Sequence, residues 1–403
     1  MLSNIWFIAA IWMGLALAGS LISIWTGISV ALVEILVGVA AGNIALGFEG
    51  GTLQIGIAGG DIDAGQLHHV LQSTEWTNFL AMLGAGVLTF LAGAEIDPHS
   101  LKANWRASVL IGILSFAIPF AAVWFVALFV FGWSLHQAQI AGIALSTTSV
   151  AVVYAVMIEG GLSDTSMGKM ILAACFVTDL GTVLALGVVF ANFNIWLVGF
   201  AAATAVAAWL LPKYAPWFFA KVGHRVSEPQ TKFVLLVLFL LGGIATSVGS
   251  EAVLPAYIIG MVLAPAFQHE HELAHRLRVM AFAILTPFYF LKAGSLIEFN
   301  ALVTGAGLIG LFLALKMLTK FVGILPLTRV FRFKRRDGIY TTLLMSTGLT
   351  FGSISALYGL TNNIIDQRQY TILLTAVIGS AVVPTLIAQR WFLPQIGAAR
   401  QEV

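Results

Sequence analysis

Residues 171–182 read ILAACFVTDLGT and put Asp179 in the middle of an apolar run that extends to about Phe190. The run has the length and character of a membrane-spanning helix, so the carboxylate is expected at membrane depth. An ionised Asp near a bilayer centre costs about 2.5 to 3.5 kcal/mol on insertion scales, and such residues face a cavity or a partner rather than lipid. Helical spacing places Cys175 and Thr182 on the same face, with Thr178 adjacent. A carboxylate with hydroxyl oxygens close by is the ligand type suited to a hard monovalent cation or a proton. The plainer alternative is a protonated Asp hydrogen-bonded inside a helix bundle.

The rest of the chain agrees with a membrane setting. Of the 403 residues 59% are hydrophobic and 9% charged, whereas charged residues make up about a quarter of a soluble globule. The apolar runs have the length of helices, ~20 residues, rather than of outer-membrane strands, ~10 residues. A single cysteine excludes an internal disulfide, and no Cys/His pattern calls for zinc, haem or another cofactor. The first apolar run lacks a basic flank and is read as a retained helix rather than a signal peptide. Thirteen spans are expected, at about 3–24, 28–47, 76–95, 107–131, 137–158, 167–191, 194–212, 232–249, 252–267, 279–297, 301–328, 338–359 and 369–393. With the N-terminus outside, Arg368 alone among Lys and Arg falls on an outside segment, while Lys292, Lys316 and Lys320 lie within spans. All others fall inside, which argues for N-out, C-in topology and an odd number of helices. The outside loop 48–75 carries Glu49, Asp61, Asp63 and Glu75 and no Lys or Arg.

An odd count suits six helices, one linker and six more in inverted orientation. Two segments resemble each other at matching places: ALSTTSVAVVYAV from Ala144 and LMSTGLTFGSISALYG from Leu344. Helix breaks are expected at Ser146 in the first and at Ser346, Thr347, Gly348 and Thr350 in the second, with Gly352 following. Paired interruptions in two halves point to broken helices meeting at a transporter's midplane. The other reading is that these hydroxyls back-bond to their own helices. On the first reading Thr147, Thr148 and Ser149 join Thr178 and Asp179 as candidate cation- and proton-binding residues.

Other intramembrane charges are few. Glu34 lies in VEILVGVAAGN, where Gly38 and Gly42 form a small-residue face suited to close packing, and a structural or interface role is expected. Lys316 and Lys320 are four apart and share a helix face. Either one snorkels toward the basic run Arg329 to Arg336, or balances Asp179 or the carbonyl ends of the broken helices. Lys292 is expected to pair with Glu298 or to line the cavity. The histidines fall in loops or span ends; HELAH at 271–275 fits HExxH letter for letter, yet it reads as a polar loop with no third ligand.

Together these residues resemble the monovalent cation/proton antiporters of the Kef and NapA type, which share the NhaA fold. The likeness covers nearly the whole chain through VEILVGVAAGN, FLAGAEID at 90–97, STTSVAVV at 146–153, the Asp179 helix, PFYFLKAGSLIE at 287–298, Lys320 and the Gly-rich second break. It implies an all-α fold with a dimer scaffold at about 1–96 and 232–298. A mobile core at about 103–191 and 301–395, joined by a linker helix at about 194–212, would carry the ion in an elevator-like movement. It places the essential aspartate on Asp179 and the common lysine on Lys320, with Lys316 as the fallback. Two departures stand out: Thr178 where relatives hold Asp, Asn or Gln, and Thr350 where many hold Glu. Lys292 stands where relatives have a small residue and is a candidate compensating charge. The expected activity is exchange of Na+ or K+ for H+ at Asp179, not an enzymatic reaction, by a homodimer in a bacterial inner membrane. The alternative is an organic-anion symporter of the same broken-helix fold.

Overall fold

Apolar segments with no water around them satisfy their backbone N–H and C=O groups by coiling, and this chain is helical nearly throughout. The computed structural model describes residues 5–394 except 27–29, 48–51, 58–59, 64–74, 95–104, 160–161, 163–164, 191–194, 224, 249–251 and 270. Glu49, Glu95, His68, His69, His99 and His224 therefore lie outside the described residues. The helices are α1 (Ile5–Thr26), α2 (Val30–Gly47), α3 (Glu75–Ala94), α4 (Trp105–Phe125), α5 (Leu135–Ser146), α6 (Val150–Glu159), α7 (Ser166–Val189), α8 (Ile195–Val222) and α9 (Pro229–Ser247). There follow α10 (Val253–His269), α11 (His271–Met280), α12 (Thr286–Ser295), α13 (Phe299–Thr304), α14 (Ala306–Val330), α15 (Arg335–Met345), α16 (Thr350–Thr361) and α17 (Gln367–Trp391). Five-residue π-turns continue α4 through Val126–Val130 and join α11 to α12 through Ala281–Leu285. Among the described residues ten segments are long and apolar enough to cross a membrane, and Val30–Ile44 and Val253–Phe267 are shorter apolar helices.

Two details depart from the sequence reading. The segment expected as a plain outside loop holds an antiparallel hairpin, β1 (Thr52–Ile57) with β2 (Gly60–Asp63), in which Thr52 pairs with Asp63. The HELAH segment is helical, as α11, rather than a loop: Arg276 bonds Glu272 one turn before it at 2.9 Å and Glu228 at 2.8 Å, which ties the turn down.

The chain forms two compact units. Unit 1 comprises Met1–Glu95 and Phe190–Thr304; unit 2 comprises Ile96–Val189 and Gly305–Val403. Unit 1 is built on helix pairs whose backbones touch. A Cβ on Gly38 or Gly42 of α2 would run into the backbone at Leu291 or Ser295 of α12, and one on Gly294 would run into Ile35. Gly93 of α3 and Gly260 of α10 meet in the same way. Without a hydrophobic driving force between helices in lipid, such close approach supplies the van der Waals attraction that holds them. Trp12 of α1 stacks on Phe288 at 5.0 Å, and Glu34 is buried on α2 with its Cγ against Gly19 of α1.

Unit 2 contains both interrupted helices. α5 stops at Ser146 because Thr147 turns extended (φ −62°, ψ 156°), and α6 resumes at Val150. α15 stops at Met345, Leu349 adopts φ −150°, ψ −73°, and α16 resumes at Thr350. The two interrupted helices approach each other where a Cβ on Gly352 would lie 2.9 Å from the Ala144 carbonyl oxygen. The starts of the four half-helices, Leu135 and Val150 against Arg335 and Thr350, are related by a constant shift of 200 positions. The pattern of buried and exposed residues over 131–150 also recurs, residue for residue, over 331–350.

Candidate functional site

Among the described residues, unit 2 encloses the carboxyl group of Asp179 and the amino groups of Lys316 and Lys320. Asp179 is buried on α7, and its Oδ1 has no hydrogen-bond partner. Such an atom in a dry interior forgoes the roughly 1–3 kcal/mol of solvation that a partner would replace. Thr178 is held beside it: its hydroxyl donates to the Ala174 carbonyl at 3.0 Å and to the Gly112 carbonyl of α4 at 3.2 Å, leaving its lone pairs for another group. Thr182, on the same face, donates back to the Thr178 carbonyl at 3.0 Å, and Cys175 points its thiol at the Met345 sulfur, 3.6 Å away at the end of α15.

Lys316 and Lys320, one turn apart on α14, are fully buried and do not snorkel. Lys320 Nζ donates to Ser115 Oγ at 2.7 Å, the Ser146 carbonyl at 2.8 Å and Thr148 Oγ1 at 3.1 Å. Those three acceptors use all three N–H bonds of an ammonium. The Ser146 carbonyl is one of the free C-terminal carbonyls of α5, where the helix dipole is negative, so the charge is well placed there. Lys320 thus serves the first break and lies within electrostatic reach of Asp179 without forming an ion pair with it. Lys316 Nζ donates to Ser380 Oγ of α17 at 2.9 Å, and the Ser380 hydroxyl lies 2.7 Å from the Val377 carbonyl and 3.4 Å from that of Gly348 in the second break.

The remaining break residues are largely engaged locally. Ser146, Thr147, Ser346 and Thr347 donate to carbonyls three or four residues back, at 2.7–3.0 Å. Back-bonding and interruption therefore coexist. Ser149 Oγ accepts from Val152 N–H at 3.4 Å at the start of α6, and Thr148 donates to the Met345 carbonyl at 2.9 Å, which joins the two breaks directly. The Thr350 carbonyl accepts from the Ser353 hydroxyl at 2.9 Å. Lys292 belongs to unit 1, where it is buried and hydrogen-bonded to Asn78 of α3. Ser115 and Ser380 were not singled out from sequence. Their signal is faint: isolated serines in long apolar helices, whose partners lie 205 and 64 residues away.

Long apolar helices, two of them interrupted, around a carboxylate and two ammonium groups make this a polytopic membrane protein that handles charge within the thickness of the lipid. Residues 12–393 match the family described as "Sodium/hydrogen exchanger, transmembrane", and the chain belongs to that family of transporters. It is an integral, multi-pass membrane protein. Among its relatives are "Probable Na(+)/H(+) antiporter 3" of Methanocaldococcus jannaschii, 25% identical over 79% of this chain and 85% of that one. Another is "Na(+)/H(+)-K(+) antiporter GerN" of Bacillus cereus, 22% identical over 79% of this chain and 84% of that one. The fold is similar to that of the sodium proton antiporter MjNhaP1 from Methanocaldococcus jannaschii, with a TM-score of 0.70 at 15% identity, covering 98% of this chain and all of that one. These relatives do not favour the organic-anion alternative.

Proposed function

We propose that the protein is a secondary antiporter that exchanges Na+ or K+ for H+, with cation and proton competing for Asp179. The observation that carries this reading is the buried, unpartnered Oδ1 of Asp179 in the unit that holds both helix breaks. Membership of the exchanger family supports it, as do the activities in the names of the two relatives. A carboxylate that bonds either a proton or a metal ion crosses in one direction protonated and in the other cation-loaded. Thr178 and the Thr147–Ser149 segment add oxygen ligands in this scheme, and Lys320 holds the carbonyl end of the first break. With one acid in the site, one-for-one exchange follows.

The finer placement, with the Kef and NapA type on an NhaA-like scaffold of thirteen helices in two inverted six-helix repeats, is supported by the 200-position shift within unit 2. Counting α2, α10 and the α5–α6 pair with the ten long segments reaches that number. Division of the chain near residues 95, 189 and 304 supports a scaffold and a mobile core; the same reading has the core move elevator-like within a homodimer whose N-termini lie outside. Asp179→Asn in inverted vesicles should abolish cation-driven dequenching of a pH-sensitive dye; retained exchange would refute the assignment. Competition at one group also fixes a sign. Lowering the pH should raise the cation concentration needed for half-maximal exchange, because protons displace the cation, while the maximal rate at saturating cation changes far less.

A further inference from the structure

Gly348, in the second break, has no positive φ among the described residues, so its backbone does not require glycine. Its surroundings set the constraint instead, and they are side-chain ends. A Cβ built there would overlap Lys316 Nζ and would come within 2.9 Å of Thr147 Oγ1 and 3.2 Å of Ser380 Oγ. The ammonium thus occupies the space a side chain at 348 would fill, next to hydroxyls from α17 and from the first break. Its neighbour Lys320 has three acceptors at 2.7–3.1 Å, whereas Lys316 has the Ser380 oxygen at 2.9 Å. Both groups are fully buried on one helix. A buried charge persists where oxygens and helix carbonyl ends balance it; here the Ser380 oxygen accepts from the ammonium, and that hydroxyl lies 3.4 Å from the Gly348 carbonyl.

We propose that Lys316 is a tethered cation built into the second helix break, a positioning residue whose ammonium fills the place left open by Gly348 and holds that break against Ser380 of α17. Each of the two lysines then serves one break, Lys320 the first and Lys316 the second. A consequence, which rests on the antiport reading above, is that the second break is closed to alkali ions by the protein's own charge, leaving Asp179 as the single exchangeable position.

The test is a double-mutant cycle on the full-length purified protein, read as the thermal unfolding midpoint, with methylammonium as a soluble substitute for the tethered group. Gly348→Ala should lower the midpoint by several degrees in the native background, and should lose more than half of that effect in a Lys316→Ala background, where the added methyl group meets no ammonium. Methylammonium chloride should raise the midpoint of Lys316→Ala and leave that of the native protein unchanged, with tetramethylammonium chloride, too large for the space, without effect. Additive losses, or a Lys316→Ala protein indifferent to methylammonium, would overturn the proposal. If Lys316→Ala does not fold, Lys316→Gly and Lys316→Ser carry the same cycle and the same readout. None of these measurements depends on transport, so they stay decisive even if Asp179→Asn retains exchange.

Discussion

At the scale of single residues, Asp179 and the two lysines were all legible as charges within apolar helices, and what the sequence did not carry was the lysines' partners. Asp179 stands out because one carboxylate in an apolar helix is costly wherever it sits. Lys320 is equally buried, but its role rests on Ser115, Ser146 and Thr148, which reach it from other helices. No local pattern encodes such an arrangement. Lys320→Met keeps the volume and strands the Ser146 carbonyl; at roughly 1–3 kcal/mol for an orphaned buried group, thermal unfolding should show a clear loss of stability. Ser115→Ala removes one acceptor of three and should cost about 1 kcal/mol, the smaller of the two effects in the same measurement. Thr178→Val deletes the link to Gly112 of α4 and should also cost about 1 kcal/mol, while a fall in cation affinity beyond that of Thr178→Ser would mark its oxygen as a ligand.

Among the elements, the interruptions were legible because clustered Ser, Thr and Gly in an apolar run compete with the helix for its own hydrogen bonds. Polar character was misleading in HELAH, where a charged helical turn and a loop have the same composition and only the Glu228–Arg276–Glu272 bonds decide between them. The small-residue face of α2 was visible as Gly38 and Gly42, but its partner α12 was not, since small residues permit contact without naming the neighbour. Gly294→Val should therefore be severe, because its branches would enter the backbone of α2 at Ile35; loss of folded protein after detergent extraction is the expected result. By contrast Asp366→Ala, which removes the capping box at the start of α17, should cost only about 1 kcal/mol in thermal unfolding.

For the whole molecule, composition alone was enough to assign a helical membrane protein, and the positions of most helices follow the apolar runs to within a few residues. The span count is less direct, because α2 and α10 are short and α5–α6 is divided. Within unit 2 the shift of 200 positions compares the two halves residue by residue, and the buried Asp179, Lys316 and Lys320 sit where they differ. Position 379, the counterpart of Asp179, is glycine, and the counterparts of Lys316 and Lys320 are Phe116 and Phe120, whose rings stack at 5.5 Å. One half thus contributes the acid and the other the bases.

That division has a genetic corollary. Segments 131–150 and 331–350 match in burial and begin their helices in step, so copying the first over the second would preserve every packing class in the core. It would also install threonine at 348, the counterpart of Thr148, and evict the Lys316 ammonium from its seat. With a lysine filling that gap, the halves are not spare parts for one another.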